Sequence, residues 1–257
     1  MPPVTHVPLS RQRILAAALR LVDEQGLEGL SMRKLAATLG VEAMSLYTYV
    51  PSKSALLTGV LEVLVAELDV PMDDRQPWVE RLRAGARSFR QVAHKHPAFV
   101  RMLTTQQEYT ELLLYPTELG LGILRGAGLD PAQAAFAYQT LMGYLLGALL
   151  QEEAGVVGVS CGRLGARAAA CGGTADPAAE MVGLPADSFP LLLDAVRTHA
   201  ASSEDAAFEF GLDLILVGLE RLLHVPAEPG TPAGQSHQWH QDVGTAHNGS
   251  SPQPTGV

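Results

Sequence analysis

Residues 31–53, SMRKLAATLGVEAMSLYTYVPSK, hold two short helical blocks separated by a glycine, and few architectures accommodate that pattern. Ser31 is placed to cap a helix whose apolar residues Leu35, Ala36 and Leu39 fall at i, i+1 and i+4, with Arg33 and Lys34 directed elsewhere. Gly40 follows the last of them and supplies the left-handed backbone that a tight inter-helix turn requires, while Val41 is placed to fill the angle between the helices. A second helix is predicted from near Glu42, with Leu46 and Val50 inward and Ala43, Met44, Ser45, Tyr47, Thr48 and Tyr49 outward. A DNA major groove about 12 Å wide admits one such helix. Pro51 and Ser52 close it and open another, whose early Lys53 sits where unpaired backbone N–H groups also favour a phosphate. Upstream, residues 10–26 read as an amphipathic helix with Ile14, Leu15, Ala18, Leu21 and Val22 inside and Gly26 as its stop. Three helices in this order imply a helix-turn-helix head.

The rest of the chain also reads as helices, so the expected fold class is all-α. Residues 54–68 would link the head to a body, and Pro71, Pro77, Asp73 and Asp74 mark a joint. A second amphipathic helix is predicted over 78–95, ended by Pro97, followed by a short block at 98–105. A helix over 109–125 is expected to be interrupted by Pro116 and stopped by Gly126 and Gly128. Asp130 and Pro131 form an N-cap and first-turn pair for a long helix to Glu153. Residues 154–187 are rich in Gly and Ala without periodicity and read as a mobile loop; short and long helices follow at 189–200 and 204–224. From Pro226 the composition cannot bury enough apolar area to offset ordering entropy, so a disordered tail is expected. The expected division is a flexible start (1–9), a head (10–55), a helical effector-binding and dimerisation body (56–225) and the tail (226–257).

Charge and hydropathy narrow the function. Eighteen basic against 27 acidic residues give a net charge of −9, unfavourable for approach to a polyanion. Residues 10–53, however, hold six bases (Arg11, Arg13, Arg20, Arg33, Lys34, Lys53) against four acids (Asp23, Glu24, Glu28, Glu42), so the head can present a basic face. The opening MPPVTHVPLS has neither the charge cluster nor the apolar run of a secretory signal, and the most apolar stretch, 136–150, is shorter than the roughly 20 residues that span a bilayer. A cytoplasmic location without membrane association is expected.

Catalysis would need a nucleophile with its base, or a metal cluster. His94 and His96 are two apart and cannot share a metal from one helix; a solvated helix end is the expected setting for both. His237 and His240 have metal-like spacing but lie in the tail, and Cys161 and Cys171, in the expected loop, read as reduced thiols. No catalytic residue, metal or cofactor is assigned. On the long helices, Gly143, Gly147 and Ala148 share nearly one face, and Gly211 and Gly218 share another. Rows of small residues let backbones approach closely, either within one subunit or between two.

The run LSMRKLAATLGVEAMSLYTYVPSKSALL resembles the DNA-binding domain of the TetR family of bacterial repressors, and FEFGLDLILVGLERLL (208–223) resembles the last helix of its tetracycline-repressor subfamily. The resemblance implies a homodimer that binds a near-palindromic operator in double-stranded DNA and responds to a small molecule. It implies that Ser31, Met32, Arg33, Ala43, Met44, Ser45, Tyr47, Thr48, Tyr49 and Lys53 face DNA. An arginine fork suits guanine O6 and N7, so Arg33 would read a base; Tyr47 and Lys53 would hold phosphates, and Ala43, Met44 and Ser45 would meet base edges and thymine methyls. It implies a four-helix dimer interface through Gly143, Gly147, Ala148, Gly211 and Gly218, and an effector pocket among Phe89, Met102, Thr105, Gln106, Tyr109, Tyr138 and Met142. Ala43, Met44, Thr48 and Tyr49 depart from the tetracycline-repressor pattern, so a different operator sequence is expected. Gln151, Glu152 and Glu153 resemble the acidic helix end beside a magnesium–drug complex, but 101–105 reads RMLTT and offers no histidine in register. An apolar, metal-free effector is therefore expected. The alternative is a helical ligand-binding or enzymatic body whose head is a protein-interaction module.

Overall fold

The structure is a computed structural model that describes residues 8–105, 108–154 and 203–224 and a few positions between 190 and 198. Gln106, the loop expected after residue 154 with Cys161 and Cys171, most of the helix expected over 189–200, and the tail with His237 and His240 lie outside the described residues. The described residues form helices without a strand: α1 (Arg11–Gly29), α2 (Met32–Leu39), α3 (Ala43–Tyr47), α4 (Lys53–Val65), α5 (Trp78–Lys95), α6 (Phe99–Thr105), α7 (Glu111–Gly126), α8 (Pro131–Ala154) and α9 (Glu204–His224).

Side-chain caps set most starts. Ser10, Ser31 and Ser52 are in extended conformation and their hydroxyls accept from the backbone N–H of Arg13, Lys34 and Ala55 at 3.2, 3.2 and 3.0 Å. Each satisfies one donor that the first helical turn leaves unpaired, worth about 1 kcal/mol. Asp130 caps α8 reciprocally: its carboxylate accepts from Gln133 N–H at 2.9 Å and the Gln133 side chain accepts from Asp130 N–H at 3.0 Å.

Two expectations are corrected here. Gly26 does break the regular helix, with φ 71°, but a short helical turn resumes and α1 closes at Gly29. Pro116 does not interrupt α7, which runs unbroken from Glu111. The ring removes one backbone donor, and the burial of Gly120, Ile123 and Leu124 beyond it keeps the segment helical.

One apolar cluster extends from Ile14, Leu15 and Ala18 in α1 to Phe208, Leu212 and Leu216 in α9. Helix α4 joins its parts, packing on α1 and also against α6 and α7.

Candidate nucleic-acid interface and ligand cavity

The α2–α3 turn follows from Gly40, whose φ of 69° and ψ of 34° lie in the left-handed region. Gly40 N–H reaches Ala37 O at 3.2 Å and Val41 N–H reaches Ala36 O at 3.0 Å, so the end of α2 is satisfied as the chain turns. Leu46 is fully buried and Val50 nearly so, which fixes the roll of α3. The opposite side presents Ser45, Tyr47, Thr48, Tyr49 and Met44, the last 75 % exposed. Ser31, the cap of α2, Arg33 on α2 and Lys53 on α4 are exposed as well; Met32 and Ala43 are half-buried against the core. Regular helix in α3 ends at Tyr47, so Thr48 and Tyr49 sit on a following turn in which Tyr49 N–H and Val50 N–H both reach Leu46 O at 2.9 Å. Among the described residues no carboxylate pairs with Arg33 or Lys53, whereas Arg11 is bound to Glu62 at 3.0 Å and Lys34 donates to Gln25.

The body encloses a cavity of about 260 Å³. Its walls include Leu61 and Val65 of α4, Arg81, Leu82 and Phe89 of α5, Phe99 and Leu103 of α6, Thr117 and Ile123 of α7, and Tyr138, Leu141 and Met142 of α8. Of the residues expected in a pocket, Phe89, Tyr109, Tyr138 and Met142 are on the walls. Met102 and Thr105 are not. On α6 the cavity side carries Phe99 and Leu103, four apart; Met102 is buried in the core, and Thr105 is exposed with its hydroxyl donating to Arg101 O at 2.8 Å. The contributions of α4 and of Leu82, Gly85 and Ala86 were missed, because in sequence they look like any apolar helix face. Tyr138 Oη donates to Thr117 Oγ1 at 3.1 Å, and burial pushes its phenol above the ordinary value, so it stays neutral.

Glu152 is already engaged: Arg90 Nε reaches it at 3.0 Å and His94 Nε2 lies 2.7 Å away. Arg90 also binds Asp205 at 2.6 Å and lies over the Phe208 ring, 4.7 Å from its centre. Its carboxylate partners thus tie α5 to α8 and α9.

Two family models match most of the chain: "Bacterial regulatory proteins, tetR family" over residues 14–60 and "Tetracyclin repressor-like, C-terminal domain" over 70–223. The chain belongs to the TetR family. It is a DNA-binding transcriptional regulator. The class A tetracycline repressor from transposon 1721 of Escherichia coli is 33 % identical over 218 residues, 83 % of this chain and 91 % of that protein. The transcriptional repressor DrrR1 of Streptomyces coeruleorubidus is 32 % identical over 226 residues, 84 % of this chain and 78 % of that one. Among solved structures, the TetR family protein ActR of Streptomyces coelicolor, crystallised with actinorhodin, superposes with a TM-score of 0.67 at 28 % identity, covering 85 % of this chain and all of that one.

Within this TetR-family chain the small residues of the long helices fall into two groups. Gly211 faces its own subunit: a Cβ there would lie 2.5 Å from Tyr144 Cε2 and Oη, so the expectation that it faces a partner is corrected. Gly143, Gly147 and Gly218 have nothing within 4 Å of a Cβ, and Ala148 is half-buried against the core. Around the open glycines the helices expose large apolar side chains: Phe136 and Leu150 seven residues either side of Gly143 on α8, and Phe210, Leu214 and Val217 on α9.

His96 is also corrected. It is not solvated at a helix end but buried, with Nδ1 2.9 Å from Asp23 of α1 and Nε2 3.5 Å from Glu67, just beyond α4. Lys95 binds Glu67 at 2.7 Å, and that ammonium holds the Glu67 carboxyl below the usual range. One histidine thus connects the first helix of the head to the end of α5, where the chain turns into α6. His94, by contrast, is half-exposed.

Proposed function

We propose that the protein is a homodimeric repressor, released from a near-palindromic operator by a largely apolar, metal-free small molecule. The observation that carries this reading is the double role of α4. Its first residue, Lys53, is exposed six residues beyond the end of α3, and two to three turns later Leu61 and Val65 form part of the cavity wall. A molecule that reshapes the cavity must move or stiffen the helix on which the head is mounted, and it shifts the equilibrium by its differential affinity for the two arrangements. The ligand-bound structure of the similar ActR supports a receptor role for this cavity.

In this reading Arg33 reads a base and Tyr47 and Lys53 hold phosphates. Met44 and Ser45 meet base edges, joined at the margin by Ser31, Thr48 and Tyr49, while half-buried Met32 and Ala43 contribute mainly by setting the roll of α2 and α3. The exposed apolar faces of α8 and α9 pack on those of a second copy. Gly143, Gly147 and Gly218 lie at the crossing, which places two heads on successive major grooves roughly 34–36 Å apart. Glu152, already ion-paired with Arg90 and in hydrogen-bond contact with His94, is a poor magnesium ligand. The protein is a cytoplasmic regulator rather than an enzyme; among the described residues no helix is long and apolar enough to cross a membrane.

The test is selection of genomic fragments by the purified protein, followed by release of the retained duplex. Retention should fall steeply with salt, and apolar compounds should release the duplex whether or not a chelator is present. Release by micromolar tetracycline only when magnesium is present would overturn the metal-free assignment. Retention indifferent to sequence would overturn operator recognition.

A further inference from the structure

We infer that the cavity is built for an acidic ligand, an apolar ring system bearing a carboxylate, and that Arg81 is the residue that takes its charge. This rests on reading the cavity as the effector site. Arg81 lies on the first turn of α5 and shares one helix face with Gly85 and Phe89, four and eight residues on, which also line the cavity. Among the described wall residues it is the sole charged side chain; the other polar groups are the Tyr109 and Tyr138 phenols and the Thr117 hydroxyl.

The setting of Arg81 differs from that of its neighbours on α5. Arg83, Arg87 and Arg90 are each bound by carboxylates, at 2.5 Å to Asp213, 2.6 Å to Glu209 and 2.6 Å to Asp205. Arg81 makes one hydrogen bond among the described residues, from Nε to the carbonyl of Pro71 at 3.1 Å, and no carboxylate lies within ion-pairing distance of it. That bond fixes the plane of the guanidinium against the 66–77 connection. It leaves the two terminal nitrogens, the pair that binds a carboxylate end-on, without a partner among the described residues.

A cation at the edge of an apolar cavity loses part of its hydration, and Arg81 gains in return only the longer-range attraction of Asp73, which itself is bound to Arg75; such an arrangement costs free energy that a directly bonded anion would offset. A neutral ligand of the same shape would leave that cost in place or add to it by covering the guanidinium. A carboxylate removes it and forms charge-assisted hydrogen bonds to an already oriented donor. The Tyr138–Thr117 pair, on α7 and α8, then serves as a second, uncharged anchor.

The experiment uses the full-length protein and matched pairs of rigid aromatic probes, each a carboxylic acid and its primary amide: 2-naphthoate with 2-naphthamide, 9-anthracenecarboxylate with its amide, and 4-biphenylcarboxylate with its amide. Affinities are measured by calorimetry at neutral pH, where the acids are ionised. The acid should bind roughly tenfold tighter or more than its amide, the equivalent of one charge-assisted hydrogen bond. In Arg81→Gln that ratio should fall to about one, with amide affinity retained as evidence that the cavity persists, and in Arg81→Lys part of the preference should return. Acid and amide binding equally to the parent would overturn the anionic assignment and leave the cavity reading standing. A preference that survives in Arg81→Gln would overturn the role of Arg81. Failure of every probe to bind would instead count against the cavity as a receptor for ligands of this class, the reading beneath this one.

Discussion

Gly211 and Gly218 sit one heptad apart on α9 with different surroundings in their own subunit, so alanine at Gly211 should destabilise the subunit itself, whereas alanine at Gly218 should act on the contact with a second copy. Alanine in place of a helix-interior glycine gains about 1 kcal/mol from backbone entropy and propensity. At Gly211 the new methyl would lie 2.5 Å from Tyr144 Cε2 and Oη. Tyr144 cannot simply swing aside, because its hydroxyl donates to Phe208 O at 2.6 Å and its ring packs on Phe208 with centroids 5.9 Å apart. Displacing it costs the hydrogen bond, about 1 kcal/mol, and overpacking adds about 1–3 kcal/mol. The net expectation is destabilisation by about 1–3 kcal/mol for Gly211→Ala. At Gly218 the methyl meets nothing within 4 Å in its own subunit, so the propensity gain survives there and any loss must come from a second copy. Urea denaturation at several protein concentrations separates the two, since a change in dimer affinity moves with concentration and a change within the subunit does not. A double-mutant cycle sharpens the assignment: in a Tyr144→Ala background the clash is gone, and Gly211→Ala should become stabilising. Equal destabilisation in both backgrounds would refute the intramolecular contact. Concentration-independent stabilisation by Gly218→Ala would refute its place in a close-packed dimer.

Arg33→Ala should cost about 1–3 kcal/mol on the operator and relax specificity at one base pair, whereas Lys53→Ala should weaken all duplexes alike and lower the salt slope by about one; equal losses on specific and random DNA for Arg33→Ala would sink its role as a base reader. His96→Leu should destabilise by about 1–3 kcal/mol because it leaves Asp23 without its buried partner. Half-exposed His94→Leu should cost clearly less, since Glu152 keeps Arg90, and matching melting temperatures for the two variants would contradict the junction. The guanidinium of Arg87 holds the Glu209 carboxyl below its ordinary 4.5. That contribution is complete above the unfolded value and is lost as pH falls through the lower folded one, so Arg87→Ala should flatten the acid limb of the stability curve below about pH 5. An unchanged limb would show that the pair adds nothing.

Local chemistry made much of the fold legible. Ser31, Gly40, Ser52 and Asp130 act through bonds to residues within four positions, and the buried roll of α1 and α3 follows from Ile14, Leu15, Ala18, Leu46 and Val50 at helical spacing. Pro116 was misjudged because a missing donor is a local signal, while the packing of Ile123 and Leu124 that carries α7 past it is a tertiary one. The cavity was half legible for a related reason. Periodicity separates inside from outside but not a wall from a filled core, so Met102 and Phe99, equally apolar and three residues apart, could not be told apart. His96 was invisible as a junction residue, since its partner Asp23 lies 73 positions away and the adjacent proline suggested only a helix end.

The net charge of −9 finds its resolution in where the charges are paired. In the body, Arg83, Arg87 and Arg90 on successive turns of α5 meet Glu209, Asp213, Asp205 and Glu152, so four of the 27 acids face arginines and fasten α9 and the end of α8 to α5. In the head the sorting runs the other way. Arg11 is committed to Glu62 within the α1–α4 contact, and Lys34 to Gln25, while Arg33 and Lys53 stay exposed with no carboxylate beside them among the described residues. Long-range steering by such a molecule is weak, because at physiological salt charges more than about 8 Å apart are largely screened. Recognition must then lean on short-range geometry: two heads held at a fixed separation, each with a few unpaired cations and an exposed α3. Such an interface is readily released by a small change at α4, since little non-specific attraction holds the heads on DNA once their spacing is wrong.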